Sequence, residues 1–527
     1  MSEITTTSDI GDTNKLRFVW LAFFALVVFV YFFGLSIPLL GPDEPRYAQV
    51  AREMFERGDW VTPTLGGFNW FEKPAMLYWL EIAAYKIFGV NEFAARIGSA
   101  IFGLGTILSL WILGRFAANG QRSKAEDQSS NSEPSVPSAA NDLANWTALI
   151  AASALGLLVF SRGASFDIIV TFPITAALVS FYIFDQRRAE TFGAKYLPLI
   201  LFYFFIGVAL LAKGLIGIVF PFAIVGFYYL ISLRKPDRPL ILSVFWGTLI
   251  ALAVGALWYV PMYRQHGYEF INEFFVQHHF QRFTSNKYQH PQPFYFFLWI
   301  LPLMTIPWLP FFLAAIVSNA REMIRRVSVS PRPRVPASPL MLFSVAWLAV
   351  PLVFFSASGS KLPGYILPSV PAAIVMTTLY FCRLMEKNGK WRMAGLGLGT
   401  ATLVIVSILL VTAVPKFAYG DSVKGLMAQA NGRGYTGEIV LSFHGTSHNA
   451  EFYAAGRLLR DQAGKQRQYW TSPEIRNEIA ALGGSPILVL APVEHLALLT
   501  SEPTLNVEVI GDNGELAITR VSLRPPV

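Results

Sequence analysis

Apolar runs of roughly 16 to 26 residues, separated by short polar or Pro/Gly-rich segments, fill the chain from residue 18 to residue 415. A helix needs about 20 such residues to cross the hydrocarbon core of a bilayer. The pattern predicts spans at 18–40, 93–114, 144–161, 167–184, 197–212, 214–232, 240–262, 293–318, 338–357, 364–382 and 394–415, about eleven in all. A further apolar stretch, 73–90, is short and carries Glu81 and Lys86, so it reads as lying along the interface. The first run lacks a short apolar core followed by a small-residue cleavage site and reads as a retained helix. Beyond residue 415 the pattern changes: 438–443, 486–491 and 507–510 read as strands and 472–482 as helix. The predicted fold class is an α-helical polytopic membrane protein with a small C-terminal α/β domain over 416–527.

Composition agrees. Of 527 residues, 54% are hydrophobic and 14% charged, against about 25% charged in ordinary soluble domains. This excludes a disordered chain, a coiled coil and most soluble enzymes. The net charge of +8 bears on membrane orientation before nucleic acid, and no nucleic-acid partner is expected. With 73–90 interfacial, one set of loops collects twenty basic residues, from Lys15 and Arg17 to Lys390 and Arg392. By the positive-inside rule that set is cytoplasmic. Residues 1–17 are then a cytoplasmic N-terminus, the Ser/Pro/Asn-rich 117–142 a disordered cytoplasmic linker, and 40–92 and 263–292 the two large outer loops. The 416–527 domain falls outside. The single Cys382 permits neither an intramolecular disulfide nor a cysteine metal site.

The unusual residues gather on the outer side. The first loop reads Pro42-Asp43-Glu44-Pro45-Arg46-Tyr47 and continues to Phe71-Glu72-Lys73-Pro74. Pro45 suits the first turn of a helix, which places the acids at a helix N-terminus, where an anionic carboxylate is favoured. An isolated Asp-x-Pro is most often a plain cap; two acids, an arginine and a Glu-Lys pair in one loop suggest more. Asp167 and Lys213 stand at the outer ends of long apolar runs, although a lysine there is also an ordinary snorkelling anchor. The large loop carries His278, His279, Arg282 and His290 among aromatics, and the last outer turn holds Lys361 and Tyr365. Adjacent histidines are not a metal-ligand spacing. Nothing requires a cofactor, and a divalent ion on Glu72 or a histidine stays open without spacing to support it. Carboxylates beside several cations suit a phosphate with a reactive carbon next to it, as in a polyprenyl-phosphate sugar.

Four blocks, Pro-Asp-Glu-Pro-Arg-Tyr (42–47), Phe-Glu-Lys-Pro (71–74), the His279–Arg282–Phe283 and His290–Tyr295 run, and Lys-Leu-Pro-x-Tyr-Ile-Leu-Pro (361–368), resemble the bacterial polyprenyl-phosphate-sugar glycosyltransferases of the C-type fold. The resemblance covers roughly 18–415. It is nearest the lipid A aminoarabinose transferases, with the protein O-mannosyltransferases more distant. Phe452-Tyr453-Ala454-Ala455-Gly456-Arg457 is also similar to family members. The resemblance implies 11–13 spans and a bacterial inner-membrane location. It also implies an undecaprenyl-phosphate-linked sugar donor, an outward active site and inverting transfer to lipid A or another extracytoplasmic acceptor. It puts Asp43 at the family's catalytic position, and Asp43, Glu44 and Asp167 are the catalytic candidates. Arg46, Tyr47, Glu72, Lys73, Lys213, His279, Arg282, Lys361 and Tyr365 are the substrate-binding candidates, with Lys73 and Arg282 at phosphate-binding positions. A protein O-mannosyltransferase-type enzyme using a hexose donor, and a secondary transporter, are the competing expectations.

Overall fold

Thr7–Phe32 (α1) opens a computed structural model that describes residues 7–126, 138–187, 192–281, 292–329 and 338–525. This helix stops before the predicted end at 40. Gly34 takes a left-handed φ of 72°, and Arg162 donates to the carbonyls of Val30 and Phe33. Those carbonyls would otherwise lack partners at a helix end. Residues 33–40 form a turn instead.

Then follow α2 (Asp43–Arg57), a hairpin of β1 (Thr64–Leu65) and β2 (Phe68–Asn69), α3 (Met76–Phe88) and α4 (Glu92–Glu126). The helices α5 (Ser138–Ser153), α6 (Leu155–Ser161), α7 (Phe166–Gln186), α8 (Phe192–Lys213), α9 (Ile216–Ser232) and α10 (Arg238–Phe270) come next. The apolar region closes with α11 (Phe296–Met304), α12 (Leu309–Val329), α13 (Pro339–Ser356), α14 (Val370–Lys387) and α15 (Lys390–Val411). Among the described residues seven helices are long and apolar enough to cross a membrane, or nine if each bent pair is one span. The protein is thus membrane-embedded and multi-pass. Phe18–Phe32 and α9 are shorter apolar helices, and α3 is not among the candidate spans. Parts of the predicted loops are helical: α4 runs to Glu126, α5 begins at Ser138, and a π-helix continues α10 over Ile271–Gln281. Residues 127–137, in the predicted linker, lie outside the described residues.

Two predicted spans are broken. α5 and α6 meet at 61°, and α11 and α12 at 119°. A break frees backbone donors that lipid cannot satisfy. Here the two breaks serve each other: Leu155 N–H donates to Ile306 O at 2.8 Å, and the Trp308 indole donates to Ser153 Oγ at 2.9 Å.

The chain divides into two compact units. Unit 1 is residues 1–33, 72–76 and 99–407; unit 2 is 34–71, 77–98 and 408–527. Unit 1 is the helix bundle. Of the seven candidate spans among the described residues α7 is the most enclosed, with 83% of its apolar stretch buried, against 22% for α15, which presents its apolar side chains outward as a lipid-facing helix does.

Unit 2 is built on a five-stranded sheet of β3 (Val440–Phe443), β4 (Gln468–Tyr469), β5 (Ile487–Pro492), β6 (Leu505–Asp512) and β7 (Leu516–Leu523), in the order β4-β3-β5-β7-β6. β3 pairs in parallel with β4 and β5; β7 pairs antiparallel with β5 and β6. β5 is a continuous apolar run, as expected of a strand covered on both faces. Alternation sends Leu488 and Leu490 to one core with Leu426, Met427 and Ala454. It sends Ile487, Val489 and Ala491 to the other with Ile475, Ile479 and Leu499. The helix Ser472–Ala481 starts with a Thr471–Glu474 capping box.

Leu488 is fully buried. Leu488→Ala is expected to destabilise this domain by about 2–5 kcal/mol, read as a lower unfolding midpoint of the purified protein. An unchanged midpoint would contradict the two-sided core.

Candidate active site

In unit 2 the two acids of the predicted first outer loop begin α2. Pro42 is its N-cap, Asp43 and Glu44 fill the first turn, and Gly58 closes it with φ 67° and bonds back to Met54 and Phe55. Successive residues on a helix diverge by about 100°, so the two carboxylates face different surroundings. Glu44 turns inward to Arg96, which is 2% exposed. Arg96 Nε donates to Glu44 Oε1 at 3.1 Å and Nη2 to Oε2 at 2.6 Å. Its remaining donors reach the carbonyls of Leu35 (2.9 Å), Ile37 (2.6 Å) and Pro38 (2.9 Å). All five guanidinium N–H groups are used. Glu44 Oε2 also accepts from Leu40 N–H at 2.7 Å. Asp43 turns outward: its side chain is 52% exposed and pairs with Arg46 at 3.1 Å. Arg46 also donates to Pro42 O and lies 5.7 Å from the Trp70 ring. Tyr47 is buried.

Two groups in this unit add to the electrostatics. His448 feels both Arg46 and Asp43; burial first, then the Arg46 guanidinium, hold its imidazole below the usual histidine range. Glu81, on α3, is 1% exposed, and neither carboxyl oxygen has a hydrogen-bond partner among the described residues. Burial, then the Glu44 carboxylate, raise it well above the usual carboxylate range.

In unit 1 Asp167 occupies the first turn of α7, behind the Ser165 cap that accepts its N–H. Lys213, the last residue of α8, forms an ion pair with Asp167, and its ammonium lies 4.8 Å from the Tyr365 ring centroid. Gly364 packs tightly here: a Cβ would run into the Asp167 carboxylate and the Phe160 ring and force them to shift. Four residues before Tyr365, Lys361 is 6% exposed and donates to the carbonyls of Ser358 (2.5 Å) and Gln292 (3.1 Å). No carboxylate pairs with it among the described residues. The adjacent Ser360 hydroxyl is buried without a partner among them. Glu72 and Lys73 pair at 3.1 Å, both largely buried.

The expected site residues therefore form two sets. Asp43, Glu44, Arg46 and Tyr47 share one helix of unit 2. Asp167, Lys213 and Tyr365 meet in unit 1, which also holds the Glu72–Lys73 pair and Lys361. The His279 side chain and Arg282 lie outside the described residues. Sequence reading missed Arg96, whose signal was a charge three residues into a predicted span. It also missed Glu92, Tyr453 and His448. Among the described residues no group of three or more His, Cys, Asp or Glu side chains is placed to hold a metal ion.

Known proteins resemble the chain as follows. A family model for dolichyl-phosphate-mannose-protein mannosyltransferase matches residues 18–119 and 139–270. An undecaprenyl phosphate-α-4-amino-4-deoxy-L-arabinose arabinosyl transferase of Aeromonas hydrophila is 31% identical over 417 residues, 76% of this chain and 68% of that protein. One of the same description from Yersinia enterocolitica is 32% identical over 360 residues, 67% of this chain and 57% of that protein. The crystal structure of ArnT from Cupriavidus metallidurans bound to undecaprenyl phosphate shares the fold, with a TM-score of 0.70 over 95% of this chain and 97% of that one, at 22% identity.

Two outcomes follow from this geometry. Arg96→Leu strands the Glu44 carboxylate and is expected to cost about 3–5 kcal/mol; an unfolding midpoint equal to wild type would contradict the fork. Glu81 has a folded value above its unfolded 4.5, so the stability tied to its proton is complete below that pH and is lost as pH rises. Glu81→Gln is therefore expected to unfold later than wild type at pH 7–8 and together with it near pH 4. A constant difference across the scan would contradict this.

Proposed function

The chain belongs to the undecaprenyl phosphate-α-4-amino-4-deoxy-L-arabinose arabinosyl transferase family, and from that premise we propose that it moves a 4-amino-4-deoxy-arabinose-like pentose from an undecaprenyl-phosphate carrier to lipid A. Its class is a membrane-embedded glycosyltransferase that depends on a polyprenyl-phosphate-linked sugar. In our reading the reaction takes place on the outer face of a bacterial inner membrane, with the N-terminus cytoplasmic and the α/β domain periplasmic.

The observation that carries the reading is the division of work in the first turn of α2. Glu44 is held on both oxygens by Arg96, while Asp43 is presented outward. We assign catalysis to Asp43 and a positioning task to Glu44. The acceptor oxygen forms a bond to the anomeric carbon as the bond to the carrier phosphate breaks, and that electron pair leaves on the phosphate. Attack from the opposite side inverts the centre. A lipid A phosphate attacks as an anion, and Asp43 orients it or stabilises positive charge developing on the sugar ring; a hydroxyl acceptor passes its proton to Asp43.

The leaving phosphate gains charge as the bond breaks. Lys73, Arg282 and Lys361 are the cations we assign to it, and Tyr365 is assigned to substrate binding with them. Lys361 suits the task because its partners are carbonyls, which leave its charge uncancelled. Lys213 is ion-paired with Asp167, and this pair is assigned to the sugar. A transporter would hold ionisable groups near mid-span. Asp167, Asp185 and Lys213 instead sit in the first or last turns of their helices.

The test is transfer of radiolabelled pentose from undecaprenyl phosphate to lipid A by purified protein. Asp43→Asn is expected to lower turnover about 10²–10⁴-fold with the protein still folded, and wild-type turnover would remove Asp43 from the mechanism. Label that moves only from a hexose donor to serine or threonine of a protein would favour the mannosyltransferase-type reading.

A further inference from the structure

The motif Phe452–Arg457 has no place in the mechanism above, and it lies in the α/β domain of unit 2, far along the chain from Asp43. Its polar members face opposite ways. Arg457 holds its own domain, donating to Ala454 O and Tyr435 O at 2.9 Å and to Asn431 Oδ1 at 3.1 Å. Between them Ala455 (φ 53°) and Gly456 (φ 80°) reverse the chain in the left-handed region. Tyr453, at the end of the short helix Ala450–Tyr453, reaches the turn before Asp43. Its hydroxyl accepts Leu39 N–H at 2.9 Å and donates to Glu92 Oε1 at 3.0 Å. Glu92 is buried and also pairs with Lys424 at 2.7 Å.

Glu92 and Arg96 are one helical turn apart, so their side chains share a face of α4. Arg96 takes the carbonyls of Leu35, Ile37 and Pro38, and Glu44 takes Leu40 N–H. Leu39 N–H is the remaining donor of that pair, and the α/β domain supplies its acceptor. Burial, then the Glu92 carboxylate, push the Tyr453 hydroxyl far above the usual tyrosine range, so the proton needed for the bond to Glu92 stays in place.

We propose that Tyr453 is a positioning residue of the transferase: through Leu39 N–H and Glu92 the α/β domain fixes the turn that presents Asp43, and so forms part of the catalytic apparatus. The proposal rests on Asp43 acting in the transfer reaction. It gives the domain a role in the chemical step, apart from any binding of its own. A displacement of about 1 Å at a reacting group costs on the order of 10²-fold in rate, and one missing hydrogen bond in a turn held by several others should cost less.

Tyr453→Phe keeps the ring and removes both bonds. In the full-length protein it is expected to lower kcat about tenfold with the donor KM unchanged. Amide exchange of the segment 35–44 should become faster while exchange in the sheet stays at the wild-type rate. Unchanged exchange in 35–44 overturns the link. Faster exchange with wild-type kcat also overturns it, because the turn would then be loosened without consequence. A raised KM with unchanged kcat would mean a binding effect and would likewise overturn it. If the wild-type protein shows no transfer at all, the reading of Asp43 fails, and the exchange comparison alone decides whether the domain holds the turn.

Discussion

One guanidinium organises the carboxylate-bearing end of unit 2. Arg96 spends all five donors on a single turn and on the acid four residues beyond it. Burying a charge this deeply is costly unless it is paired and fully hydrogen-bonded. The planar fork meets that condition because its donors diverge toward three carbonyls and a carboxylate at once, which a lysine ammonium cannot reproduce. Residues 33–40 are apolar enough to continue α1 as a helix. Arg96 and Arg162, together with Gly34, satisfy them in another shape. That shape sets where α2 begins, and so which of two adjacent acids turns inward to Arg96 and which is exposed.

Unit 1 applies the same rule with different parts. At its two helix breaks a backbone donor of one, Leu155 N–H, is bonded to a carbonyl of the other, Ile306 O. Asp167 and Lys213 neutralise each other where two helices end, with the Tyr365 ring beside the ammonium. Lys361 is the exception: it is buried, bonded to carbonyls, and paired with no carboxylate among the described residues. A cation left in that state gains most from an anionic ligand, which is the physical reason to associate it with a phosphate. The relatives bring the same chemistry by name, a sugar carried on undecaprenyl phosphate.

What the sequence showed follows from the range of the forces involved. The apolar runs, 73–90 among them, and three strands of the sheet are local patterns, and helices or strands stand at those places. The end of α1 was not legible, because Arg162 stops it from about 130 positions away. The break at Ala154 has no proline or glycine at that residue, and its partner is Ile306. β4 and β7 were missed; β4 is only two residues long and gains its place by pairing with β3. The blocks at 42–47 and 361–368 pointed to the chemistry, but adjacent acids look alike in a string. Only the distant Arg96 separates Glu44 from Asp43. Two expected phosphate or sugar contacts, Arg282 and the His279 side chain, lie outside the described residues.

The claim that the Arg96–Glu44 fork governs catalysis through the turn is tested most directly by a double-mutant cycle on turnover, using Arg96→Lys, Glu44→Gln and the pair together. If the two residues act as one unit, each single change should lower kcat about as much as the double, a strong non-additivity. Additive losses, or wild-type turnover in either single variant, would contradict the account.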